Sequence, residues 1–132
     1  MPLNYRMGQS MSDASQFTSS NPTRPLHYEE QELIRSLVSD ILAKPILERT
    51  LANCRVVDMQ DGGMGSIRFI QPERRVFGRT LVEAQYTDID GVLVSITVNV
   101  DQEDQLFEVD FWKVDFSPLK RYPQPKDLLI KR

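Results

Sequence analysis

Between Tyr28 and Ala43 the apolar residues Leu33, Ile34, Leu37, Val38, Ile41 and Leu42 fall on one stripe of a 3.6-residue period. That spacing predicts a helix over Tyr28–Ala43. Glu29, Glu30 and Glu32 stand in its first turn, where the helix dipole favours negative charge. Pro45 cannot continue this helix but suits the first turn of another. Pro45–Ala52 therefore reads as a short second helix carrying Ile46, Leu47 and Leu51, with Asn53 as its cap.

From Cys54 onward the period changes to two. Strands are expected at about Arg55–Met59, Ser66–Ile70, Val76–Thr87, Val92–Val100 and Leu106–Val114. Turn residues separate them: Asp61-Gly62-Gly63, Pro72-Glu73, Asp90-Gly91 and Glu103-Asp104. No connection is long enough for a helical crossover, so neighbouring strands run antiparallel. The expected fold class is α+β, with the two helices on one face of an antiparallel meander of about five strands.

Parity registers the last three strands. Val92, Val94, Ile96, Val98 and Val100 share a face, as do Val82, Ala84 and Tyr86, and Phe107, Val109 and Phe111. Matching these faces pairs Thr97 with Glu83 and leaves a three-residue loop, Ile89-Asp90-Gly91, whose glycine suits the left-handed third position. The second hairpin pairs Thr97 with Asp110 and turns at Glu103-Asp104. The opposite face then carries four rows: Leu81, Asn99, Glu108; Glu83, Thr97, Asp110; Gln85, Ser95, Trp112; and Thr87, Leu93, Val114. One end of that face is acidic and the other apolar.

The chain flanking these elements has no such period. Met1 to about Pro25 is rich in Ser, Asn, Gln and Pro and reads as a flexible leader, in which Met7 and Met11 are further candidate starts. Residues 26–122 form one domain, and 123–132 a C-terminal tail. The absence of a long apolar run or a charged-then-apolar leader predicts no membrane span and no signal peptide, hence a cytoplasmic protein.

Charge is unevenly placed. Net charge is −3, yet Thr80–Trp112 carries −8 without a lysine or arginine, while Lys113–Arg132 carries +4. Such a sheet repels phosphates, so no nucleic acid is expected as partner, and a basic protein suits it instead. One cysteine, Cys54, and one histidine, His27, leave no disulfide, no cysteine-based zinc site and little basis for a His-dependent triad. No cofactor and no metal are expected. Asp88 and Asp90 lie roughly 25–30 Å from Asp101, Glu103 and Asp104, at opposite ends of one strand, so a single calcium ion cannot use both sets. Gly62-Gly63-Met64-Gly65 precedes a strand rather than the helix a phosphate loop requires, and reads as a turn.

Glu83 and Asp110 flank Thr97 with backbones roughly 10 Å apart. Two carboxylates at that separation suit inverting glycoside hydrolysis, but a flat sheet face offers no sugar cleft. Beside them Trp112, Val114, Leu93 and Phe116 form an apolar cluster on the face that meets water. The simplest reading is that Pro118, Leu119, Tyr122, Leu128, Leu129 and Ile130 cover it. Arg68, Arg74, Arg75 and Arg79 form a basic stretch around another turn, most simply a solvated hairpin, with pairing to the acidic face or binding of an anionic ligand as the alternatives.

The stretches Asp61-Gly62-Gly63-Met64-Gly65-Ser66 with Phe69, Phe77-Gly78-Arg79, Thr87-Asp88 with Asp90-Gly91-Val92, and Trp112 to Leu119 resemble a family of small bacterial proteins known only as a domain of unknown function. The resemblance spans about residues 26–122. It implies no activity, cofactor or catalytic residue.

The residues themselves favour a non-enzymatic protein-binding or regulatory module, monomer or homodimer, using Glu83, Glu108, Asp110, Trp112, Leu93 and Val114. An immunity-type protein that neutralises a basic toxin is one specific form. The alternative is a small ligand-binding domain or enzyme with Arg68, Arg79 and Glu83 around a pocket by the glycine loop.

Overall fold

The computed structural model describes residues 22–71, 73 and 75–131. The expected leader up to Asn21, and with it Met7 and Met11, lies outside the described residues, as do Pro72 and Arg74 of the basic turn.

Nine elements of regular helix and strand are described. They are β1 (Thr23–Arg24), α1 (Tyr28–Val38), α2 (Lys44–Asn53), β2 (Val56–Asp58), β3 (Ile67–Phe69), β4 (Phe77–Thr87), β5 (Leu93–Asp101), β6 (Leu106–Lys113) and β7 (Leu129–Lys131), with a 3-10 turn at Pro125–Asp127 before β7. The strands form one antiparallel sheet in the order β1-β2-β3-β6-β5-β4-β7. The α+β class stands, with seven strands instead of about five. The two additional strands are the sheet's edges, and they lie in the segments that composition assigns to leader and tail. Only β4-β5-β6 is a meander, because β3 pairs with β6 and not with its sequence neighbour β4.

α1 stops at Val38, a turn earlier than expected. Ser39 caps it, and the N–H groups of Ile41 and Leu42 both turn back to the carbonyl of Val38. Leu42 still reaches the core, whereas Ile41 is exposed. At the other end, the Glu30 carboxylate accepts the His27 N–H at 2.8 Å and holds the Arg24 guanidinium by two bonds of 2.9 Å. Arg24 also reaches Asp58, which ties β1, β2 and the start of α1 together.

One face of the sheet is covered. Leu33, Ile34, Leu37 and Val38 of α1 and Leu47 and Leu51 of α2 share a core with Val82, Ala84, Tyr86, Val94, Ile96, Val98, Val109 and Phe111. Burying side chains of this size contributes about 1.5–3 kcal/mol each before chain entropy is counted. The other face carries no layer among the described residues.

The central register follows parity: Glu83 pairs with Thr97, Thr97 with Asp110, and Ser95 with Trp112. Two bulges shift it elsewhere. Between Thr80 and Val82 an extra residue makes Thr80, not Leu81, the partner of Asn99. Between Asn99 and Val100 the register slips so that Leu106, not Phe107, pairs with Val100 and takes the buried position. Phe107 instead lies under the Arg68 guanidinium, 4.9 Å from the ring centre. Near the start of β4, Gly78 is where a Cβ would stand 2.3 Å from the carbonyl oxygen of Asp101, so this third irregularity requires glycine for space.

Candidate functional site

Three of the stretches that carry the family resemblance, Asp61–Ser66, Thr87–Val92 and Trp112–Leu119, meet at one end of the sheet, while Phe77-Gly78-Arg79 lies at the other. The loop between β4 and β5 closes with Asp88 N–H on Val92 O and Gly91 N–H on Asp88 O, with Gly91 at φ +82°. This is the three-residue turn that parity predicted. It aims the carboxylates of Asp88 and Asp90 at Lys113, the last residue of β6. Lys113 Nζ donates to Asp88 Oδ2 at 2.9 Å, to Asp90 Oδ2 at 2.7 Å and to the carbonyl of Pro118 at 3.0 Å. The side chains of Lys113 and Asp88 are both 0 % exposed.

Asp88 also accepts the backbone N–H groups of Ile89, Lys120 and Arg121 at 2.7, 2.7 and 3.0 Å. Burial alone would raise its pKa. The Lys120 amide, the Lys113 ammonium and the Ile89 amide overcome that and hold it at about 2. For Lys113, desolvation works against the charge, but Asp90 and Asp88 outweigh it and raise its pKa. Every ammonium hydrogen has an acceptor, so this buried cluster is a structural clamp on the segment after β6 rather than a reactive amine.

The glycine loop is the second part of that clamp. β3 pairs with β6 only as far as Ile67 and Val109. Beyond that point Ser66 Oγ accepts the Phe111 N–H at 2.8 Å, and Met64 Sδ accepts the Lys113 N–H at 3.2 Å, so two side chains stand in for a missing strand. Asp61 pins the loop by accepting the N–H groups of Met64 and Ser66. A Cβ on Gly63 or Gly65 would press on Pro118 or Leu119 at 3.2 Å, and both residues have positive φ. The space beside the loop is thus filled by the chain itself.

The segment held in this way does not cover the apolar cluster, contrary to the simplest sequence reading. Leu119, Tyr122, Leu128 and Ile130 pack on the inner core, and Tyr122 meets the ring of Phe111 at 5.5 Å. On the outer face Trp112, Phe116, Val114 and Leu93 remain 50 %, 62 %, 49 % and 39 % exposed. Trp112 and Phe116 stack edge to face at 4.9 Å, with Phe116 set by a positive φ of 64°. Together these four residues offer on the order of 400 Å² of apolar surface, the size of a large patch on a typical monomer.

The acidic rows adjoin this patch. Glu108 is compensated within the chain: it meets Arg68 at 3.2 Å and Asn99 Nδ2 at 3.1 Å. Asp110 is half-buried and accepts the Ser66 hydroxyl at 3.2 Å. Burial pushes its pKa up, Ser66 opposes this, and the charges of Glu108 and Asp61 add to the rise. Glu83 is exposed in the middle of β4. Among the described residues neither Glu83 nor Asp110 forms an ion pair, although Lys131 faces Glu83 across the β4–β7 register.

The residues of the ligand-binding alternative are dispersed. Arg68 lies in the row of Glu108, Asn99 and Thr80, three strand spacings or roughly 14 Å from β4. Arg79 pairs with Asp104 at the far end of β4. A cleft of about 430 Å³ does exist, between the start of α1 and the 3-10 turn, lined by Tyr28, Glu32, Pro123 and Lys126 among others. None of the sequence-predicted site residues lines it. Among the described residues no group of three His, Cys, Asp or Glu side chains is placed to hold a metal ion, and no helix is long and apolar enough to cross a membrane.

Fold and surface together define an α+β protein whose antiparallel sheet is packed by helices on one face and, among the described residues, left open around an aromatic pair on the other. The chain belongs to the family described as a domain of unknown function (DUF6984), whose model matches residues 23–123. No curated protein and no solved structure matches it. The buried Lys113–Asp88–Asp90 cluster was legible only indirectly. Asp88 continues the inward parity of Val82, Ala84 and Tyr86, and Lys113 that of Val109 and Phe111, so a lysine and an aspartate at core positions signal a pair.

Proposed function

We propose that this protein is a binding module that docks a protein partner on the open face of its sheet, with Trp112, Phe116, Val114 and Leu93 as the anchor. The supporting observation is that this contiguous cluster stays half-exposed while the chain's own C-terminal segment packs on the opposite face. A large aromatic at the centre of such a patch is the usual source of interface energy. An immunity-type role against a basic toxin is one form this reading takes.

The test is affinity purification from the native cell with wild type and a Trp112→Ala/Val114→Asn variant. Both side chains are half-exposed, so the variant should melt within a few degrees of wild type. A partner held by wild type and lost by the folded variant supports docking at this face. Identical protein sets on both would refute it.

A further inference from the structure

We infer, resting on the docking reading above, that the partner seats a lysine or arginine side chain across Glu83 and Asp110, one row along the strands from Trp112. The chain itself shows the arrangement such a cation would complete. On the same face Arg68 bonds the Glu108 carboxylate at 3.2 Å while its guanidinium lies 4.9 Å over the ring of Phe107, so one carboxylate and one aromatic hold one cation. Farther along β6, Asp110 stands roughly 7 Å from Glu108 with Trp112 two residues beyond it, a second carboxylate beside an aromatic. Among the described residues Arg68 acts on Asp110 only at longer range, with no cation bonded to it. Glu83 approaches from the other side of Thr97 and likewise has no ion pair among the described residues.

Charge also selects between occupants. A second copy of this chain would bring its own Glu83 and Asp110 to the contact, and like charges facing each other oppose it. A partner with basic residues beside apolar ones satisfies both halves of the face: its apolar groups cover Trp112, Val114, Leu93 and Phe116, and its cation meets the two carboxylates.

Trp112 is the sole tryptophan, so its emission reports on this surface directly. The probes are two short synthetic peptides, one alternating arginine with leucine and one alternating glutamate with leucine, titrated at low ionic strength. The arginine peptide is expected to shift the Trp112 emission and the glutamate peptide to leave it unmoved. Glu83→Gln with Asp110→Asn should weaken the arginine peptide at least tenfold. Equal binding of both peptides, or an unchanged affinity in that double variant, overturns the inference. If both peptides bind alike and Val114→Asn abolishes both, docking stands and the cation seat falls. No shift with either peptide overturns both readings. A shift that grows with protein concentration alone assigns the face to a second copy and overturns the inference.

Discussion

Replacing Asp88 with alanine removes the acceptor of four bonds at once. Lys113 Nζ keeps only Asp90 and the Pro118 carbonyl, and the N–H groups of Lys120 and Arg121 lose their only described acceptor. Taking one partner from a buried ion pair costs about 3–5 kcal/mol, because the other charge stays desolvated. A domain of this size has about 5–15 kcal/mol in total, so the loss takes a large share of it. With a urea slope of about 2 kcal/mol per molar, the unfolding midpoint should fall by roughly 2 M. Urea titration followed by far-UV circular dichroism measures this. Amide exchange at Lys120 and Arg121 should accelerate to match. Adding Lys113→Met should recover part of the loss, since an apolar group at a buried ion-pair position is often neutral. The pH dependence has a definite sign. The folded pKa of Asp88 lies below its ordinary value, so its stabilisation is complete above about pH 4 and is lost as pH falls through about 2. The gap between wild type and Asp88→Ala should therefore narrow in that acid window. A midpoint shift under about 0.5 M at pH 7, or a double variant less stable than Asp88→Ala, would refute the clamp.

Three further outcomes follow from the packing. Gly78→Ala should destabilise by more than about 3 kcal/mol or prevent folding, because its Cβ meets backbone at 2.3 Å. Gly91→Ala, with nothing within 4 Å, should lose only the left-handed penalty of about 1–2 kcal/mol, and thermal melts of the two variants test the contrast. Ser66→Ala leaves the buried Phe111 N–H without its acceptor and should cost about 1–3 kcal/mol in a denaturant titration. Asp110→Asn keeps an oxygen for Ser66 and removes a carboxylate whose ionisation the fold disfavours. It should leave the melting temperature unchanged or slightly higher at pH 7, and a drop of several degrees would contradict the raised pKa.

Parity was enough to read the middle of the sheet, because hairpin turns and a buried face permit only one register there. It failed where the fold departs from period two. The bulges that displace Leu81 and Phe107 leave no mark in the alternation itself, and only Gly78 hints at irregularity near the start of β4. The edge strands β1 and β7, of two and three residues, are too short to show any period. The outer face was assigned correctly in the rows of Thr97 and Ser95, yet its cover was not. Leu119, Tyr122, Leu128 and Ile130 are apolar enough to serve either face, and nothing in their own spacing says that they pack on the inner core. Pairing of the arginine stretch with the acidic face was open in the sequence, but the particular match of Arg68 to Glu108 was hidden, since it depends on β3 lying beside β6.

That same strand order separates local from distant pairing along the chain. The hairpins β4-β5 and β5-β6 close over a few residues, whereas Ile67 meets Val109, Thr23 meets Val57 and Ala84 meets Ile130, each with more than thirty residues between. Loop closure of that length is slow and is rewarded only once the central ribbon exists to receive it. Folding should therefore start in β4-β5-β6 and spread outward to both edges, so that the segment carrying Lys113, Asp88 and Asp90 is among the earliest to order and the two ends of the described chain are the last to join.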